Sequence, residues 1–313
     1  MLDTGTPRSG YSGWTRMHIG IDLGGTKIAA LAMATDGREL ERRRVRTPRG
    51  DYGAILKAIG GLVDELERTH GRALSVGVGT PGSLSPASGL IRNSNSTVLN
   101  GKPLDRDLGH VLGRVVRLAN DADCFALSEA TDGAGAGAGT VFGVIVGTGT
   151  GAGIVVRGQL LHGPNAIAGE WGHNPLPWPD DDERPGRECY CGGRGCIETW
   201  LSGPGVAADH LEITGQRLDP VAIAERAAAG DPSCLATLSR HAGRMARALA
   251  SVVNVLDPDV IILGGGVGKL EGLYRQVPAL WDRWIFSDVV RTRLLPPRFG
   301  DDSGLRGAAW LGA

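Results

Sequence analysis

Apolar and polar positions follow two rhythms from His18 onward. HIGID reads as a short strand, Gly-Gly-Thr as a turn and KIAALAMA as a second strand. Thr35-Asp-Gly37 is a hairpin signal, and Arg38 to Thr47 forms a third strand. From Asp51 to Arg68 the period changes: Ile55, Leu56, Ile59, Leu62, Val63 and Leu66 recur at helical spacing, which predicts an amphipathic helix. LSVGVGTPG is a buried strand ending in a glycine loop, Leu104 to Leu112 a helix, and VVRLAN another strand. The pattern then restarts. Asp121 to Ala130 predicts a helix, VFGVIVGTGTG a strand and turn, and GAGIVVRGQLL its hairpin partner. A helical region from about Pro204 to Val255 follows, and then the strand DPDVIILGGGV.

Two strand–glycine turn–strand units, near residues 22 and 148, suggest an internal duplication of architecture. Strands alternating with helices, with hairpins mixed in, indicate α/β layers. The expected division is a small lobe of residues 17–119 plus 298–313 and a large lobe of residues 120–297. Residues 1–16 are polar and aperiodic and are expected to be a disordered extension. GAGAGAG, from Gly133 to Gly139, reads as a flexible loop between a helix and a strand.

Composition narrows the class. A chain of 313 residues with 42% hydrophobic content can bury a sizeable core, and 21% charged residues with a net charge of -1 give no reason to expect nucleic acid or membrane partners. No apolar run approaches the ~18 residues of a membrane span. The N-terminus has no signal-peptide core, so the expected location is the cytoplasm. Thiols are kept reduced there, which bears on the five cysteines. Cys124 and Cys234 sit singly in helical patterns and are expected to pack. Cys189, Cys191 and Cys196 crowd one loop, CYCGGRGC, which leaves disulfide, redox and metal readings open. The absence of a CxxC redox spacing disfavours the second, and the cytosol favours the third.

The glycine turns carry the next chemistry. Asp22-Leu-Gly-Gly-Thr-Lys27 lies between two strands, so it is neither a dinucleotide fingerprint nor a P-loop, both of which open a helix. Gly24 and Gly25 let the backbone approach a ligand, successive N–H groups can form an anion-binding concavity, and Thr26 and Lys27 suit phosphate oxygens. Asp22 can hold a magnesium ion through water. Gly147, Thr148 and Gly149 repeat the chemistry in the second half, and Gly264, Gly265 and Gly266 follow a third apolar strand. Asn120-Asp121 stands where a strand meets a helix. Asp121 there is either a helix cap or a carboxylate facing a cleft, with Asp123 its competitor.

Taken together, DLGGTK, NDADCFALSEA, VGTGTGAG, EWGH, CYCGGRGCIE and ILGGGV resemble the ROK family of bacterial sugar kinases, in order, from Met17 to Leu311. RNSNSTVLNGKPLDRDL, AGEWGHNPLPWP and GDDSGLRGAAWL resemble its fructokinase (mannofructokinase) branch. The resemblance implies an actin-like, ribonuclease-H-like fold whose two lobes close over ATP and sugar, with the first two glycine turns as paired phosphate loops. It implies that Asp121 is the general base and that Asp123 stands where the family often has asparagine. It assigns sugar contacts to Asn120, Asp121, Glu170, His173 and Glu198, and also to Asn95. His173, Cys189, Cys191 and Cys196 match the family's structural zinc pattern, closed by four protein ligands.

The expected cofactors are thus ATP, Mg2+ and structural Zn2+, the partners sugar and ATP, and the assembly a homodimer. The expected reaction is fructose to fructose 6-phosphate, with some action on mannose. The alternatives are a glucokinase, or a kinase of N-acetylglucosamine or N-acetylmannosamine, in the same family. More remote are a non-catalytic sugar sensor, disfavoured by intact phosphate turns, and a repressor, disfavoured by the short segment before the first turn.

Overall fold

The structure, a computed structural model, describes residues 15–313. The expectation of a disordered extension therefore lies outside the described residues, apart from Thr15 and Arg16. Arg16 accepts a hydrogen bond from the Thr35 N–H through its carbonyl.

Short, nearly continuous apolar runs became buried strands, and the glycine turns set their pairing. β1 (Met17–Leu23) and β2 (Lys27–Ala34) form an antiparallel hairpin, and β3 (Glu39–Arg46) adds an edge. That edge carries arginines outward, which keeps its unpaired backbone from meeting another strand. Asp51 caps α1 (Tyr52–His70) by accepting from the Ala54 N–H, and the buried face is Ile55, Ile59, Leu62, Val63 and Leu66. β4 (Val76–Thr80) runs parallel to β1. A small ribbon, β5 (Ser83–Leu84) and β6 (Ile91–Arg92), precedes α2 (Leu104–Leu112) and β7 (Val116–Asn120). The first sheet has the order β3-β2-β1-β4-β7.

The chain then repeats the plan. After α3 (Asp121–Thr131), β8 (Thr140–Val146) and β9 (Thr150–Val156) form a second hairpin, extended by β10 (Gln159–Leu160). α4 (Ile197–Leu201), α5 (Gly203–Thr214), α6 (Pro220–Ala228) and α7 (Pro232–Leu256) follow. The chain goes on through β11 (Val260–Gly264), α8 (Gly265–Gly268), α9 (Leu273–Gln276) and β12 (Arg293–Leu295) to α10 (Ser303–Trp310). The second sheet has the order β10-β9-β8-β11-β12. Each sheet has its own large buried cluster, one around Ile19, Ile59 and Val78, the other around Phe142, Leu249 and Trp281. The fold is therefore a mixed α/β architecture built twice.

The C-terminal helix binds the two halves. α10 packs on β1 and α3, and Gly307 crosses α3 so closely that a Cβ there would lie 1.7 Å from the Cys124 carbonyl oxygen. Glu129, fully buried on α3, accepts from the N–H groups of Ala134 (2.8 Å), Arg298 (3.0 Å) and Phe299 (3.2 Å) and from the Ser303 hydroxyl (2.7 Å). The same helix holds the glycine–alanine run, which forms tight turns instead of a loose loop because Gly135 N–H bonds the Glu129 carbonyl. Cys124 and Cys234 are both fully buried, as packing residues. Among the described residues no helix is long and apolar enough to cross a membrane.

Candidate active site

The first phosphate-type turn is the β1–β2 hairpin loop. Gly24, Gly25, Thr26 and Lys27 stand at its tip, tied by Gly24 N–H to the Lys27 carbonyl (3.0 Å) and by the Thr47 hydroxyl to the Gly24 carbonyl (2.7 Å). Thr47 was not singled out from sequence; its buried hydroxyl braces the turn from the next strand end. Gly25 and Thr26 face a cavity of about 390 Å³ that Asn95 also lines. Asn95 thus shares a cavity with the first turn.

Asn120, at the end of β7, is the cap of α3: its Oδ1 accepts from the Asp123 N–H at 2.5 Å. Of the two readings of Asp121, the cap belongs to its neighbour Asn120, and the helix begins at Asp121 as the sequence pattern indicated. Asp121 is then the first helical residue. One of its carboxylate oxygens accepts from the Ala122 N–H at 2.9 Å, which leaves the other for the cleft.

Four carboxyl groups run in a row from the first turn to a second cavity. Burial raises the Asp22 carboxyl, and Asp121 beside it raises it further against the pull of Lys27. Asp121, though its side chain stays open to solvent, is raised by desolvation from the surrounding protein, with the Ala122 N–H working the other way. Asp123 is pushed up to about 7 by burial, then by Asp121 and Glu170. Carboxyl groups so close, with Lys27 beside Asp22 only partly offsetting their mutual repulsion, suit a hard divalent ion at the Asp22 end. Asn120, Asp123 and Glu170 line a cavity of about 220 Å³ together with apolar side chains, Leu84, Ile91, Leu118, Ala166 and Ala168 among them.

The second turn behaves differently. Gly147 and Thr148 open onto a cavity of about 960 Å³ that also receives Gly266 and apolar side chains from α5, α6 and the segment after β11, such as Val206, Val221 and Leu270. Gly203 N–H at the start of α5 holds the Gly147 carbonyl at 2.8 Å. Gly264 ends β11 and Gly265 begins α8. At φ +80°, with a Cβ that would lie 2.4 Å from the Val146 carbonyl oxygen, Gly265 has no room for a side chain. The apolar residues of this cavity escaped sequence reading; nothing in their spacing separates them from ordinary helix faces.

The cysteine loop closes on His173. Its Nδ1 lies 3.6 Å from Cys189 Sγ, and Cys191 Sγ lies 3.7 Å from Cys196 Sγ. All four ligand atoms fall within 4.8 Å of one another. For Zn–S bonds of about 2.3 Å and Zn–N of about 2.0 Å, a tetrahedron separates neighbouring sulfurs by about 3.8 Å and sulfur from nitrogen by about 3.5 Å. The donors fit zinc in both chemistry and spacing. The Gly193 N–H, first among its causes, holds the Cys191 thiol down at about 7, whereas burial and the neighbouring thiols push Cys196 up to about 12, a cost that a bound cation reverses. Arg187 pins this loop to the helices by donating to the carbonyls of Thr199 (2.8 Å) and Gly205 (3.0 Å) and stacking on Trp200.

The free nitrogen of His173 and the Glu198 side chain were both expected to meet sugar. His173 Nε2 lies 3.1 Å from the Tyr190 hydroxyl, a partner the sequence did not suggest. Glu198, in the first turn of α4, accepts from the Thr150 N–H at 2.8 Å, which joins the zinc-side helix to the second glycine turn.

Comparisons agree with this geometry. A sequence model described as "ROK family" matches residues 18–313. The N-acetyl-D-glucosamine kinase of Yersinia pseudotuberculosis serotype O:1b (strain IP 31758) is 36% identical over 299 residues, covering 94% of this chain and 98% of that protein. The ROK hexokinase from Thermus thermophilus superposes with a TM-score of 0.84 at 33% identity, over 95% of this chain and 97% of that one. A ROK family glucokinase from Streptomyces griseus, solved with glucose and AMPPNP, gives 0.72 at 29% identity over 94% and 98%. With both glycine turns, the carboxyl row and the Cys–His cluster in one fold, the chain belongs to the ROK family.

Proposed function

We propose that the protein is an ATP-dependent kinase of an N-acetylated amino sugar, N-acetylglucosamine foremost. The observation that carries this reading is the cavity beside α3. Groups suited to hydroxyls (Asn120, Asp123, Glu170) share its lining with apolar side chains (Leu84, Ile91, Ala166, Ala168), a mixture suited to a sugar ring bearing a methyl-terminated substituent. The Yersinia relative, an N-acetyl-D-glucosamine kinase, supports it. The fructose reading of the sequence gains no such support and gives way to the second one. A glucose kinase is the runner-up, favoured by the glucose-bound Streptomyces neighbour.

In this reading ATP lies with its base in the apolar cavity by α5 and α6 and its phosphates against the two glycine turns. Asp121 accepts the proton of the sugar hydroxyl as its oxygen bonds to the γ-phosphorus and the bond to the β-phosphate oxygen breaks, releasing ADP. Asn120 fixes the helix start so that the free Asp121 oxygen points to the cleft. Magnesium, held from the Asp22 side, supplies charge neutralisation on the phosphates. The His173–Cys set holds the loop between Glu170 and α4 in place.

The test is ADP release from Mg-ATP with N-acetylglucosamine, N-acetylgalactosamine, N-acetylmannosamine, glucose, fructose and mannose. Highest kcat/KM on an N-acetylated sugar is expected. Highest kcat/KM on fructose would restore the first reading, and no release with any sugar would leave a binding protein.

A further inference from the structure

Arg92 ends β6, on the small-sheet side of the cavity, and its guanidinium reaches across to the segment after β10. One terminal nitrogen donates to the Asn165 carbonyl at 2.9 Å and to the Ala166 carbonyl at 3.4 Å. Those two residues lie 73 and 74 positions along the chain, so the contact is purely tertiary. Both ends of it adjoin the same cavity: Ile91, next to Arg92, lines it, and so do Gly163, Ala166, Ala168 and Glu170.

The receiving segment is held in an unfavourable shape. Ala166 has φ +50°, a left-handed conformation that costs an L-residue with a Cβ about 1–2 kcal/mol. Within the segment it is supported by a turn bond from the Ala166 N–H to the Gly163 carbonyl at 3.0 Å. Strain of this kind persists only where surrounding contacts over-determine it, and it gathers at ligand clamps. The guanidinium is one such contact: it stays charged, and its charge-assisted bonds to carbonyls are stronger than neutral ones. Arg92 Nε–H, meanwhile, is buried with no acceptor among the described residues, so the side chain is kept in place at a cost.

We infer that Arg92 is a positioning residue that fastens the 161–170 segment across the cleft and thereby sets Glu170 and the apolar wall around the bound sugar. The inference rests on the sugar-kinase reading above. Arg92 touches neither nucleotide cavity nor phosphate turn, so its effect falls on the sugar. Cutting the fastener lets the segment relax from the Ala166 conformation and opens the sugar cavity to water.

The experiment compares wild type, Arg92→Met and Arg92→Lys by steady-state kinetics and by calorimetric sugar binding, with melting temperatures recorded. Methionine keeps the packing of the arginine stem and removes the donors; lysine keeps a charged donor without the planar fork. Arg92→Met is expected to raise the sugar KM and Kd about tenfold, the size of one charge-assisted hydrogen bond, with the ATP KM within about twofold. Arg92→Lys should fall between it and wild type. A sugar KM in Arg92→Met within about twofold of wild type at unchanged melting temperature overturns the inference, as does an equal rise in both KM values. If Arg92→Met does not fold, Arg92→Lys decides: wild-type sugar affinity in that variant overturns the inference. A wild type that phosphorylates no sugar removes the kinase reading itself, and the inference with it; an active wild type indifferent to Arg92 removes the inference alone.

Discussion

Replacing Asp123 by asparagine is expected to stabilise the protein at alkaline pH far more than at acid pH. The Asp123 carboxyl is raised from its ordinary 3.8 to about 7, first by burial and then by Asp121 and Glu170. Between those values the folded protein keeps a proton that the unfolded chain has lost. Stability therefore falls as pH rises through this window and stays lower above it. Each unit is worth about 1.4 kcal/mol, so the full interval costs at most about 4 kcal/mol; water in the open cleft shares the charge and brings the expected figure to roughly 1–2 kcal/mol. Asparagine has nearly the same shape and no charge, so it escapes this cost. At about 2–4 °C per kcal/mol, Asp123→Asn should melt higher than wild type by about 2–8 °C at pH 8.5, and by clearly less at pH 5. The assay is thermal unfolding of zinc-loaded, ligand-free protein at both pH values. An equal difference at the two, or a lower melting temperature for the variant at pH 8.5, would refute the reasoning, since the carboxyl would then be either untitrated in this window or stabilised by its charge.

Asp121→Asn should lower kcat by about 10²–10⁴-fold with nucleotide affinity within about twofold, measured by ADP release and calorimetry; activity near wild type would remove its role as base. Metal analysis should find about one zinc per chain, and chelation or Cys191→Ser should lower both melting temperature and sugar affinity. Metal-free protein with full activity and unchanged melting would sink the zinc assignment. Gly265→Ala, forced to keep φ +80° against the Val146 carbonyl, should cost about 2 kcal/mol or more and raise the ATP KM above any change in sugar KM. A normal melting curve and unchanged ATP KM would show that this turn can shift freely.

Local chemistry made much of the fold readable. The β1–β2 and β8–β9 hairpins declared themselves through short, nearly continuous apolar runs broken by glycine, and α1 through six apolar residues at helical spacing. The start of the helix at Asp121 was legible, but which side chain caps it was left open between readings, and Asn120 takes that part. Helix starts depend on which side chain reaches the free N–H groups, and both Asn120 and Asp121 can do so. GAGAGAG looked loose by composition; Glu129, buried by a distant C-terminal segment, organises it.

By itself the sequence determined the two hairpin turns, the order of strands and helices, and the donor set of the cysteine loop, because each is a matter of residue type and short-range spacing. The tertiary structure alone decided which of these share a site. It put Asn95 beside the first turn and Glu198 against the second, turned the free nitrogen of His173 toward Tyr190, and built the large apolar cavity from α5, α6 and the segment after β11. It also brought Arg92 to Ala166. Such contacts join residues far apart in the chain whose side chains are ordinary where they stand, and only the closing of one sheet against the other makes them neighbours.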